Sequence, residues 1–147
     1  MQKTFIRKAI SIDLQAVYQL ERAYMMEHES EHLERWDAAQ ERIFQGLLDN
    51  LNHMFVSELG GTITGLGYWA MYEGLPCIYS IYVSRRSRRQ GIASKLMIAM
   101  EQDVRDQRYT TLTLSTLVSN PAQHLFDVLN YEEIRRENEW IYFTKIL

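Results

Sequence analysis

Cysteine and proline are nearly missing from this sequence: one cysteine, Cys77, and two prolines, Pro76 and Pro121, occur in 147 residues. A lone cysteine excludes an intramolecular disulfide and any site built on a Cys-x-x-Cys pair. Both prolines fall at element boundaries, so no helix or strand is predicted to be broken from within. No apolar run approaches the roughly 20 residues that span a bilayer. Residues 1–5 carry no apolar signal core and no lipidation motif, so the expected compartment is the cytoplasm, without a membrane partner. Positive charge is also short. Lys and Arg number 16 against 19 Asp and Glu, a formal net charge of −3, which opposes nucleic-acid binding by bulk electrostatics. Repeats, low-complexity tracts and linkers are absent. What remains is a 46% apolar, 24% charged chain, the balance of a folded globular protein. Its length suits one domain over residues 1–147.

Periodicity sets the element order. Residues 4–9 alternate as a short strand. Ser11 or Asp13 is placed to cap a helix in which Leu14, Val17, Leu20, Ala23 and Tyr24 recur at helical spacing. A polar stretch over 27–50, carrying Leu33, Trp36, Ile43, Phe44 and Leu47, predicts a second helix. Residues 54–59 and 62–72 form strands joined by Gly60-Gly61, whose glycines permit the positive φ of a tight hairpin. Glu73-Gly74 turns the chain again into a strand over 77–83, apolar on both faces and therefore expected at the sheet centre. A polar loop over 84–90 leads into a helix to about residue 108. A β-branched strand (109–118), a short helix opened by Pro121 and strands over 132–136 and 140–146 complete a β-α-α-β-β-β-α-β-α-β-β order. This is a mixed α/β chain: a central mixed sheet flanked by helices.

The stretch Ile81-Tyr82-Val83-Ser84-Arg85-Arg86-Ser87-Arg88-Arg89-Gln90-Gly91-Ile92-Ala93-Ser94 is the most informative. A central strand feeds a loop with four arginines, and the loop opens a helix. The first amides of a helix lack intrahelical partners and carry the positive end of its dipole. Small residues at Gly91 and Ala93 let the backbone approach an anion closely. This chemistry suits a diphosphate. The spacing is neither a P-loop nor Gly-x-Gly-x-x-Gly. A solvated basic loop before a surface helix is the plainer reading of the same arginines.

Arg88-Arg89-Gln90-Gly91-Ile92-Ala93 resembles the Gln/Arg-x-x-Gly-x-Gly/Ala signature of the GCN5-related N-acetyltransferases (GNAT). The likeness extends along nearly the whole chain, from the helix start at Asp13, through the hairpin over 55–72, to the segment 120–131. It implies a GNAT-like acyl-CoA N-acyltransferase fold and acetyl-CoA as cosubstrate. It implies that the backbone of Ile81, Tyr82 and Val83 holds the pantetheine arm, and that Arg88, Arg89, Gln90, Gly91, Ile92, Ala93 and Ser94 hold the diphosphate. It further implies that strands 77–83 and 110–118 splay apart, and that Asn120 reaches the cofactor. The family's tyrosine acid falls on Phe126, which has no proton to give but still borders the cofactor. Its early-strand glutamate falls near Cys77.

The expected activity is acetyl transfer from acetyl-CoA to a primary amine, by direct attack while both substrates are bound. Orientation supplies much of the acceleration, with Glu73 as candidate water-linked base and Tyr79 or Tyr82 as candidate proton donor. Cys77 has no evident His or Asp partner and is a weak nucleophile candidate. The alternative is a CoA-binding regulatory or interaction module with little catalysis. His28-Glu29-Ser30-Glu31-His32 matches the HExxH pattern of zinc hydrolases. It is set aside for its charged centre, the chain break expected at Ser30 and the lack of a third ligand, so no metal is expected. Acidic residues crowd the second helical stretch. Glu31 and Glu34 are candidates to attract a cationic acceptor, a small-molecule or peptide amine, with Trp36 stacking on it. Nine tyrosines and three tryptophans leave room for a homodimer interface.

Overall fold

Two tight turns build the centre of the sheet that carries everything else. Gly60 and Gly61 have φ of 57° and 82°, and Glu73 and Gly74 have φ of 51° and 83°. Paired positive φ values give hairpin turns whose twist matches the flanking strands. They join β2 (Met54–Leu59), β3 (Thr62–Tyr72) and β4 (Leu75–Val83) into an antiparallel meander. The computed structural model describes residues 3–147. Its seven-stranded sheet has the order β1-β2-β3-β4-β5-β7-β6, where β1 is Phe5–Lys8, β5 Thr111–Leu117, β6 Glu132–Glu137 and β7 Trp140–Ile146. The apolar β4 stands at the centre, as its composition predicts. The edge strand β6 reads Glu-Glu-Ile-Arg-Arg-Glu and is exposed throughout, a charged edge that resists pairing with other chains.

Helices cover both faces. On one side, α1 (Leu14–His28) and α3 (Gln40–Asp49) bury Leu14, Val17, Tyr18 and Leu47 against Met54, Val56, Leu66 and Tyr82. On the other, α4 (Ile92–Asp106) buries Ile92, Leu96, Met97, Met100 and Val104 against Phe55, Trp69, Ile78 and Leu112. Strand alternation sorts these side chains: Met54 and Val56 face α1, and Phe55 faces α4. At about 25 cal/mol for each Å² of apolar surface withdrawn from water, these two cores are the main source of stability. The buried carboxylates Glu101 and Asp103 are each held by several donors. Glu101 accepts from Tyr131 Oη at 2.7 Å and from Lys145 Nζ at 3.0 and 3.1 Å. Asp103 accepts from Trp69 Nε1 at 2.9 Å, with His53 at 3.3 Å.

Two local expectations are corrected. The second helical stretch is not one helix. A 3-10 turn (Ser30–His32), α2 (Leu33–Ala38) and α3 divide it, because Trp36 and Asp37 of α2 anchor to Tyr18 and Arg22 of α1 while Leu47 of α3 enters the sheet core. Neither Ser11 nor Asp13 caps α1 through its side chain. The Asp13 carboxylate instead accepts from Arg7 at 2.8 and 2.9 Å and from the Ile10 amide at 2.8 Å, and the Arg7 guanidinium holds its carboxyl below the ordinary range.

Candidate active site

The site begins where β4 and β5 part. These are the only parallel neighbours in the sheet, and they pair only at Cys77 with Thr113 and Ile78 with Leu114. Pairing then stops. On the β3 side, Tyr68 faces Ser80 and the next residue, Trp69, faces Ile78, so Tyr79 is an extra residue, a bulge. A bulge bends and twists its strand. It also resets the side-chain alternation: Ile78 and Ile81, three apart, both pack on the α4 side. Residues 79–83 are thereby left without a β5 partner, and their main-chain groups need another one.

A cavity of about 360 Å³ fills the split. Its walls come from β4 (Cys77 to Ile81), β5 (Leu114 to Thr116), α1 (Glu21 and Tyr24), Glu29 just beyond α1, and Asn120, Phe126, Trp140 and Tyr142. Glu21 is the chemically distinctive wall. Ser80 Oγ donates to its Oε1, yet burial dominates and pushes the carboxyl up to about 7, since a charged carboxylate is disfavoured away from water. Tyr24, one turn on, has its hydroxyl beside Glu29 and Asn120. Burial and Glu29 raise its pKa, and Asn120 partly opposes them.

The α4 start has the backbone geometry that suits an anion. Arg89 and Gly91 both have positive φ, 64° and 73°, and alternating backbone handedness turns successive amides toward one point, a nest. Gly91 is the N-cap of α4, with no side-chain cap. The amides of Ile92, Ala93 and Ser94 have no intrahelical acceptor. A Cβ added at Gly91 would meet nothing within 4 Å, so the space above the nest is open. Arg85, Arg86 and Arg89 are exposed around it. The nest, the unpaired strand and the cavity therefore suit a long ligand with a diphosphate at one end and an amide-bearing arm at the other.

The other predicted residues divide sharply. Asn120 and Phe126 are buried and line the cavity. The Asn120 side-chain oxygen accepts from the Ala122 amide at 2.9 Å. Tyr79 lines the cavity and is 48% exposed. Tyr82 lies on the α1 face with Ser80 but outside the lining, and its hydroxyl donates to Glu27 at 2.8 Å. Glu73 is exposed in its turn, with a positive φ, and lies outside the lining, although its neighbour Tyr72 belongs to it. Glu31 and Glu34 are exposed and also outside the lining, and Trp36 stacks on Tyr18 with ring centroids 4.9 Å apart, closing the α1–α2 contact. Arg88 is exposed and joins Glu27 at 2.7 Å. Cys77 lines the cavity, with its thiol pushed up by burial. α1 ends at His28, and His32 lies in the following 3-10 turn, so the two histidines of the HExxH match do not share one helix.

Sequence reasoning missed Glu21. Its signal was present: Glu21 lies seven residues after Leu14 and four after Val17, on the helix face that carries those buried residues. A carboxylate on that face asks for an explanation.

Comparisons with known proteins agree with this geometry. The model of the acetyltransferase (GNAT) family matches residues 14–131. No curated protein sequence matches. Among solved structures, the chain is similar to PaiA N-acetyltransferase from Thermoplasma acidophilum in complex with coenzyme A, at 14% identity and a TM-score of 0.82 over 99% of both chains. It is similar to the ribosomal-protein-alanine N-acetyltransferase of Brucella melitensis, at 19% identity and a TM-score of 0.71 over 97% of this chain and 99% of that one. A third similarity is to N-acetylglutamate synthase from Neisseria gonorrhoeae with coenzyme A and N-acetyl-glutamate. There the identity is 14% and the TM-score 0.76, over 99% of this chain and 35% of that one.

Proposed function

The chain belongs to the GNAT acetyltransferase family, and from that premise we propose that it transfers the acetyl group of acetyl-CoA to a primary amine, with Glu21 as the base. The observation that carries the proposal is a carboxyl, Glu21, that lines the cavity at the split between β4 and β5 and is held there by Ser80 of the bulged strand; burial pushes its pKa up to about 7. The residues fit the cosubstrate. Main-chain amides from Arg89 to Ser94 present an anion nest, and residues 79–83 offer unpaired main-chain groups to an amide-bearing arm. When bound, the thioester supplies an acyl carbon open to a nucleophile. Ionised Glu21 can accept the proton that a neutral amine nitrogen sheds as it bonds to the acyl carbon and the thiolate departs, and a base with an affinity near neutral pH suits that task. Main-chain amides of the unpaired strand are positioned to polarise an oxygen beside them. Tyr24 supplies a hydroxyl to the cavity that Phe126 lacks, and is our candidate proton donor.

The acceptor we propose is cationic. The carboxylates that attract it are Glu21 and Glu29, which line the cavity, rather than Glu31 and Glu34. Tyr79, Trp140 and Tyr142 add aromatic faces suited to an ammonium.

Thiol release with a panel of amines tests the reading. Turnover should rise with pH to a plateau above about 7, because the base must be ionised. Glu21→Gln should lower kcat about 10²- to 10⁴-fold, the usual range for a lost general base. Undiminished kcat in that variant would contradict the assignment. CoA binding without thiol release to any amine would favour a binding module.

A further inference from the structure

The residue that opens the loop signature is exposed, yet its guanidinium is tied to a carboxylate of α1. Arg88 Nη2 and Nη1 donate to Glu27 Oε1 and Oε2 at 2.7 and 2.8 Å, and Arg88 Nε donates to the Val83 carbonyl at 3.1 Å. The guanidinium also lies over the Tyr82 ring, 5.2 Å from its centroid. The same Glu27 accepts from Tyr82 Oη at 2.8 Å and has Arg85 Nε and His28 Nε2 at 3.5 Å. Its side chain is only 14% exposed, and these donors hold its carboxyl down to about 2, Arg88 being the largest cause. It therefore stays charged across the working pH range.

We infer that Glu27 is a positioning residue for cofactor binding: it uses Arg88 as a strut that fixes the anion nest, and Arg88 is not itself a phosphate ligand. Three elements meet at this carboxylate. α1 brings Glu27 itself, β4 brings Tyr82 and the Val83 carbonyl, and the loop brings Arg88. Arg88 immediately precedes Arg89, whose positive φ makes one half of the nest. A bidentate Arg–carboxylate pair fixes both partners in plane as well as in distance. Swinging Arg88 out to a phosphate would break the fork and the bond to Val83, and would leave a charged, largely enclosed carboxylate near an incoming anion. The inference rests on the nest being the diphosphate site.

Simple electrostatics and the strut predict opposite signs. Removing a negative charge near an anion site should tighten CoA binding, and freeing Arg88 should tighten it further. If Glu27 holds the nest in shape, its removal weakens binding. The test is calorimetric titration of CoA into the wild type, Glu27→Gln, Arg88→Ala and the double variant. Each single change should weaken CoA about tenfold, on the order of 1.4 kcal/mol and within the coupling seen in such networks. The double variant should be no weaker than the worse single one, because both changes remove one strut. Arg88→Lys keeps the charge but loses the fork, and should behave like Arg88→Ala. Tighter binding in Glu27→Gln, additive losses near a hundredfold, or near-wild-type affinity in Arg88→Lys would each overturn the inference. Should Glu27→Gln fail to fold, Tyr82→Phe removes one donor from the same carboxylate. Its CoA affinity should fall about twofold to fivefold, and unchanged affinity would count against the strut. Wild-type protein that did not bind CoA would instead refute the diphosphate reading beneath it.

Discussion

Replacing Glu21 with glutamine should make the protein more stable in alkaline solution while removing its activity. The Glu21 carboxyl titrates at about 7 in the fold, against an ordinary value of 4.5. A gap of about 2.5, at about 1.4 kcal/mol for each pH unit, is on the order of 3 kcal/mol. The sign follows from proton counting. Below pH 4.5 the group is protonated in both folded and unfolded chains, and it costs nothing. Between 4.5 and 7 the unfolded chain gives up its proton first, so folding must take one up, and stability falls as pH rises. Above 7 the whole penalty stands. A glutamine keeps an oxygen for Ser80 to donate to and carries no charge to bury. For a chain of this size each kcal/mol moves Tm by about 2–4 °C, so the advantage of Glu21→Gln should grow from near zero at pH 4.5 to roughly 6–12 °C at pH 8. Thermal unfolding of both proteins across this range reads it directly. An advantage independent of pH, or a less stable variant at pH 8, would refute the claim that burial sets the Glu21 proton affinity.

Other outcomes follow from the same structure. Lys145→Met should cost about 3 kcal/mol in urea unfolding, because it leaves the buried Glu101 carboxylate with Tyr131 alone; a loss under 1 kcal/mol would mean that water reaches Glu101. Cationic amines should outpace neutral ones of the same length, and added salt should narrow the difference; equal rates at every salt concentration would remove the acidic-cavity argument. Glu29→Gln should raise KM for a cationic acceptor and leave KM for acetyl-CoA unchanged, and a change confined to acetyl-CoA would place Glu29 on the wrong side of the cavity.

Local chemistry explains which features the sequence disclosed. The turns at Gly60-Gly61 and Glu73-Gly74 were legible because positive φ at paired positions has few residue solutions. The anion nest was legible because Gly91 sits between an arginine loop and an apolar helical stripe. The element order followed from periodicity, except at Ala39, where α2 and α3 divide without a proline or glycine to mark the break. The catalytic candidates were less accessible. Whether a carboxylate titrates near 4 or near 7 depends on the surface it meets, and Glu21 meets Ser80, 59 residues away in sequence. Trp36 read as a ring available to an acceptor; its contact with Tyr18 follows only from the way α2 folds back onto α1. Arg88 read as one of four loop cations, and nothing local marks it as the partner of Glu27, 61 residues earlier.

The most direct measurement is CoA binding to Gly91→Asp, followed by calorimetry. Aspartate tolerates positive φ better than most residues and is a favoured N-cap, and Gly91 has open space for a side chain, so the variant should fold with a Tm within a few degrees of wild type. Its carboxylate would occupy the α4 amides and repel a diphosphate. The account predicts that wild-type protein binds CoA and that this variant loses at least a hundredfold in affinity; a folded Gly91→Asp protein with wild-type affinity would contradict it.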